Sequence, residues 1–91
     1  MNKINHGMHI SIFISNDLPA FTTDDYELFD VMDDYLTEDC DFDFESLIYS
    51  DRPNKGQYTM EIESGITFDE LVTSITKFDL AEIEKIYKVN N

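Results

Sequence analysis

Apolar and polar residues alternate near the start of the chain: Met8, Ile10, Ile12 and Ile14 are interleaved with His9, Ser11, Phe13 and Ser15. A period of two marks a strand, and apolar residues on both faces give it a central place in a sheet. Asn16-Asp17-Leu18-Pro19 then breaks the pattern with turn formers. From Leu28 the period changes. Leu28, Val31, Met32, Tyr35 and Leu36 follow the i, i+3, i+4, i+7, i+8 spacing of a core-facing stripe, which predicts a helix over residues 23–37. Thr22 and Thr23 suit its N-cap, and Asp24, Asp25 and Glu27 suit the positive end of its dipole.

Alternation returns at Phe42 and Phe44, set against Asp43 and Glu45, and continues through Leu47, Ile48 and Tyr49, so residues 42–50 read as a second strand. Residues 51–56, Asp-Arg-Pro-Asn-Lys-Gly, are dense in turn formers and predict a hairpin loop. Tyr58, Met60 and Ile62 against Thr59, Glu61 and Glu63 predict the third strand, which Gly65 ends. Thr67 and Glu70 have capping-box spacing, and Ile66 and Leu71 fit a hydrophobic staple. The helix that follows would bury Leu71, Val72, Ile75 and Phe78. Residues 79–91 read two ways: a closing strand at Ile86–Val89, or a third helix capped by Asp79 and Glu82 with Leu80, Ile83 and Tyr87 inward. The strand is slightly favoured, since a β-α-β-β-α-β order gives the ferredoxin-like, split-βαβ form of an α+β fold, an antiparallel sheet with helices on one face.

Charge changes this picture more than any motif. The 91 residues carry a net charge of −14, and no Lys or Arg separates Lys3 from Arg52. Eleven acids fall between Asp24 and Glu45. Such a field repels nucleic acid and membrane phosphates and attracts proteins that hold them. Hydrophobic residues at 42 % and aromatics at 13 % are enough for one packed domain over residues 1–91 and argue against disorder. Tyr26, Phe29, Tyr35, Phe42 and Phe44 lie within the acidic tract itself, where a solvated tail would lack them. Cys40 is the sole cysteine, so no disulfide forms within the chain and a reducing cytoplasm is the expected home. The N-terminal apolar run alternates, unlike a signal peptide, and no stretch reaches the length of a membrane span.

The chemical motifs fall short. Asp39, Asp41 and Asp43 have the rhythm that opens a calcium loop, but Phe44 and Ser50 stand where its glycine and closing glutamate belong. His6 and His9 would point to opposite faces of a strand, poor geometry for one metal, and are read as ordinary polar residues. Cys40 has no neighbouring cation to favour a thiolate. Paired carboxylates are abundant, but nothing marks a pocket that would give two of them different roles, so neither an enzyme nor a cofactor is expected.

What remains is a surface. Asp30, Asp33, Asp34, Glu38, Asp39, Asp41 and Asp43 form the expected partner-binding patch, flanked by Asp24, Asp25, Glu27 and Glu45. Carboxylates on a helix and the strand after it can imitate a short run of backbone phosphates. A solvated acidic face, or an adaptor or antitoxin that neutralises a basic partner, fits the same residues.

A chain of this size, acidic from Thr22 through Ser46 (TTDDYELFDVMDDYLTEDCDFDFES), resembles the small DNA-mimic anti-restriction proteins of phages, most of all those of the T-even phages. The resemblance spans the chain by size, charge and organisation and carries no diagnostic motif. It implies an inhibitor, acting as a homodimer in the host cytoplasm, that occupies the DNA-binding surface of a restriction enzyme such as McrBC. The nucleoid protein H-NS would be a second target. Anti-CRISPR proteins are similar in size and charge.

Overall fold

A computed structural model of the chain describes residues 3–42, 47–49, 57–63 and 65–90. The expected loop at 51–56 and residues 43–46 and 50 of the expected second strand lie outside these described residues. The described elements are β1 (Ile4–His6), β2 (Ile10–Ser15), β3 (Leu18–Thr23), α1 (Tyr26–Asp34) continuing into a π-helical turn (Tyr35–Asp39), β4 (Leu47–Tyr49), β5 (Tyr58–Ile62), α2 (Phe68–Thr76) and α3 (Leu80–Asn90). The strands form one antiparallel sheet in the order β1-β2-β3-β5-β4, so the fold is α+β, as the patterning implies.

The expected first strand is β2, and the expected α-β-β-α run after it is present as α1-β4-β5-α2, but an unexpected strand, β3, stands between them where the sequence reads as a break and an N-cap. Two features depart from the split-βαβ form. At the N-terminus, Asn16 and Asp17 adopt φ of 53° and 65°. This is the type I′ geometry that joins two strands through a two-residue turn. The segment read as a break is therefore a hairpin, with Ser15 opposite Leu18 and Ile10 opposite Thr23. Pro19 is tolerated because the pair next to the turn carries the hydrogen bonds, leaving its nitrogen facing away from β2. On that side, pairing with β5 begins only at Ala20. At the C-terminus the helical alternative holds. Asp79 Oδ1 accepts from the Ala81 N–H at 2.9 Å, the Asp79 carbonyl accepts from the Ile83 N–H, and Ile83 is buried.

One face of the sheet makes the core. Ile10, Ile12, Phe21, Met60 and Ile62 point up into Leu28, Phe29, Met32 and Leu36 of the α1 segment, Leu71 and Ile75 of α2, and Ile83 of α3. The other face is mixed: Phe13, Ala20 and Ile48 lie in register beside Glu61, which accepts from Ser15 and Asn16 at 2.6 and 2.8 Å, and Thr59 donates to Thr22 at 3.1 Å. The capping box of α2 forms as expected between Thr67 and Glu70. Among the described residues no helix is long and apolar enough to cross a membrane.

Candidate functional site

The acidic segment is built on α1. Its N-cap is Asp25, and neither Thr22 nor Thr23, which belong to β3. Asp25 Oδ2 accepts from the Leu28 N–H at 3.0 Å, and the residue is only 9 % exposed. This correction removes Asp25 from the partner surface: its carboxylate satisfies a helix end that would otherwise bury an orphan donor. The apolar stripe is also rotated from the expected one. Phe29 is buried against Phe21 and Tyr58, at ring separations of 5.9 Å each, while Val31 and Tyr35 are half-buried.

The rotation decides which acids face outward. Glu27, Asp30, Asp34 and Glu38 are all exposed, spaced i, i+3, i+7, i+11, and so form a single ridge opposite the buried stripe. Neighbouring carboxylates on such a ridge stand about 5–6 Å apart at Cβ. Its length is about 16 Å, the axial span of about five phosphates of one DNA strand. Asp33 is half-buried on the flank. Asp39 and Asp41 are exposed beyond the ridge where the helix terminates, and Asp24 is exposed before it begins. Asp43 and Glu45 lie outside the described residues.

The far end of the ridge is shaped by the π-helical turn. The Cys40 N–H reaches back to the Tyr35 carbonyl at 3.2 Å, and Asp41 turns left-handed at φ 58° so that the Phe42 N–H meets the Leu36 carbonyl at 2.9 Å. Thr37 Oγ1 donates to the Asp33 carbonyl at 3.0 Å, a back-bond that loosens the regular ladder at this point. Tyr35 ties the turn to α2, its hydroxyl donating to the Ser74 carbonyl at 2.7 Å and its ring edge-packed on Phe78. Burial, and then the neighbouring Cys40 and Asp39, push its phenol up to about 12.

Among the described residues no Lys or Arg makes an ion pair with Glu27, Asp30, Asp34 or Glu38; His9 pairs with Asp24 and Glu84. The ridge charges lie closer together than the ~8 Å screening length at physiological salt, so they act on a partner as one field. Of the aromatics in the acidic tract, only Tyr26 is presented outward, at 60 % exposure, braced edge-on by Tyr58 at 5.6 Å. Phe44 lies outside the described residues. On the other flank α3 packs against α1 and leaves a shallow groove of about 380 Å³ lined by Glu27, Val31, Glu82, Lys85, Ile86 and Val89. The described residues contain no group of three side chains placed to hold a metal ion.

The two histidines, ordinary polar residues by their sequence pattern, hold structural positions. His6 is in β1 and His9 is in the Gly7–His9 turn, so they do not share one strand. His6 Nε2–H donates to the Phe78 carbonyl at 2.7 Å, and the His9 ring stacks on Tyr87 at 3.7 Å. Both tie the N-terminal hairpin to the α2–α3 region.

Comparison with protein-family models, characterised proteins and solved structures returns no match to this chain.

Proposed function

We propose that this protein is a DNA mimic, an inhibitor that blocks the DNA-binding surface of a host-defence enzyme by presenting carboxylates where phosphates would sit. The reading is carried by one observation: four exposed acids, Glu27, Asp30, Asp34 and Glu38, on one line of α1 with no Lys or Arg partner among the described residues. A solvated helix gains from basic residues at i+4, and this one forgoes them at a cost in self-repulsion. Asp24, Asp39 and Asp41 extend the field at both ends, and Tyr26 supplies a rigid aromatic anchor of the kind that dominates protein interfaces. The mechanism is competitive and non-catalytic. The target class is a DNA-binding protein of the host cytoplasm, with a restriction enzyme of the McrBC type first and a nucleoid protein such as H-NS second. A homodimer would place two ridges against the two phosphate tracks of a duplex-binding groove.

The test is capture of bound proteins from bacterial lysate, followed by competition with duplex DNA for the captured target. Duplex DNA should displace the protein, and affinity should fall about tenfold or more between 50 and 200 mM salt. Joint replacement Asp30→Lys, Asp34→Lys and Glu38→Lys should abolish binding while the far-ultraviolet circular dichroism stays unchanged. Binding that duplex DNA does not displace would instead identify an acidic adaptor or antitoxin with a basic partner unrelated to DNA.

A further inference from the structure

The least anchored helix is α3. Ile83 is its one fully buried apolar side chain among the described residues, while Leu80 is 46 % and Val89 77 % exposed. What faces it on the N-terminal side is His9, whose side chain is only 10 % exposed. Its Nδ1 stands 3.5 Å from Asp24 Oδ1, at the entry to α1, and its Nε2 stands 3.5 Å from Glu84 Oε1 on α3. Nδ1 is fully buried and has no hydrogen-bond partner. The Tyr87 ring covers the imidazole at an interplanar angle of 17°.

A neutral imidazole carries one N–H and one lone pair, so between two carboxylates it must turn a lone pair toward one of them. An imidazolium donates in both directions, and its charge over the face of Tyr87 adds a favourable stacking contribution. We infer that His9 is a proton-controlled latch: its protonated form clamps α3 to the N-terminal hairpin and the start of α1 through Glu84 and Asp24, and its neutral form releases that clamp. The groups facing the ring are Asp24 from the β3–α1 junction and Glu84 and Tyr87 from α3. His6 of β1 is engaged by the Phe78 carbonyl, and Lys88, one turn beyond Glu84, makes no ion pair with it. Proton binding to the ring therefore tightens the clamp, and proton loss loosens it. The latch shares Asp24 with the flank of the acidic field, but none of the four ridge acids takes part in it, so latch and inhibition are tested separately.

Hydrogen exchange of the α3 amides, corrected for intrinsic pH dependence, tests this on the intact chain. Protection of Ile83 and its neighbours should fall about fivefold between pH 5.5 and pH 8, while β3 amides change less. His9→Phe, which keeps a stacked ring without a proton, should flatten the α3 profile, and His6→Gln should leave it sloping. Glu84 is partly exposed, so Glu84→Gln folds even where His9→Phe does not; its amide can donate to the neutral ring, and the slope should fall by half or more. An α3 profile that is flat in the unmodified protein, or equally steep after Glu84→Gln, overturns the latch.

Discussion

The ridge on α1 makes a prediction about stability that is independent of any partner. Replace three of its acids together, Asp30→Asn, Asp34→Asn and Glu38→Gln. These side chains are exposed, and among the described residues their carboxylates accept no hydrogen bond and meet no cation, so the change removes charge and little else. Helix propensity is nearly conserved by each replacement. Four neighbouring like-charge pairs disappear: 27 with 30, 30 with 33, 30 with 34, and 34 with 38. At a few tenths of a kcal/mol per pair the protein gains about 1 kcal/mol at low ionic strength. For a domain of this size that corresponds to a rise in Tm of about 4–8 °C. Urea denaturation at 20 mM and at 1 M NaCl is the assay, with an unchanged m-value as the sign that the unfolded state is unaffected. At about 1 M salt the screening length is ~3 Å, so the gain should shrink towards zero. A variant less stable than the parent, or a gain that survives in high salt, would refute the account of the ridge as an uncompensated Coulombic surface. If the same variant also loses competition with DNA, stability and inhibition draw on the same carboxylates in opposite directions.

Two further predictions address the groups that hold α1 in place. The Tyr35 phenol is held at about 12, above its ordinary value of 10.0, chiefly by burial. A folded value above the unfolded one means its contribution is complete below pH 10 and is lost as pH climbs through 12. Urea midpoints at pH 9 and pH 11, with tyrosinate absorbance at 295 nm, should show this loss, and Tyr35→Phe should reduce the slope while costing about 1 kcal/mol at pH 8 through the orphaned Ser74 carbonyl. Asp25→Ala should cost about 1 kcal/mol by removing the N-cap; competition with DNA should be unchanged, because this carboxylate lies beneath the surface, and a loss of inhibition without unfolding would put Asp25 back on the partner face.

Local signals read well where one element sufficed to specify them. The capping box at Thr67–Glu70 and the alternation at Tyr58–Ile62 needed only neighbours in sequence, and both appear where the pattern puts them. Of the expected patch and flank, Glu27, Asp30, Asp34 and Glu38 are exposed on one line of α1, since a 3.6-residue period fixes which positions oppose the buried stripe. The hairpin at Asn16–Asp17 was written in the sequence as a two-residue left-handed turn, but Pro19 reads as a breaker until the ladder shows which way its nitrogen faces. Asp25 is indistinguishable from Asp24 in composition. Only the burial of the helix start makes one a cap and leaves the other exposed beside His9.

By itself the sequence determined an α+β domain of strong negative charge, with its acids concentrated on one helix, because charge and periodicity are properties of the chain that need no partner segment. Packing determined the rest: the rotation of α1 by Phe29 against Phe21 and Tyr58, the choice of helix over strand after Asp79, and the meeting of His9 with Asp24, Glu84 and Tyr87. Those outcomes depend on contacts between residues far apart in sequence, whose closure entropy is overcome only when the whole core forms together.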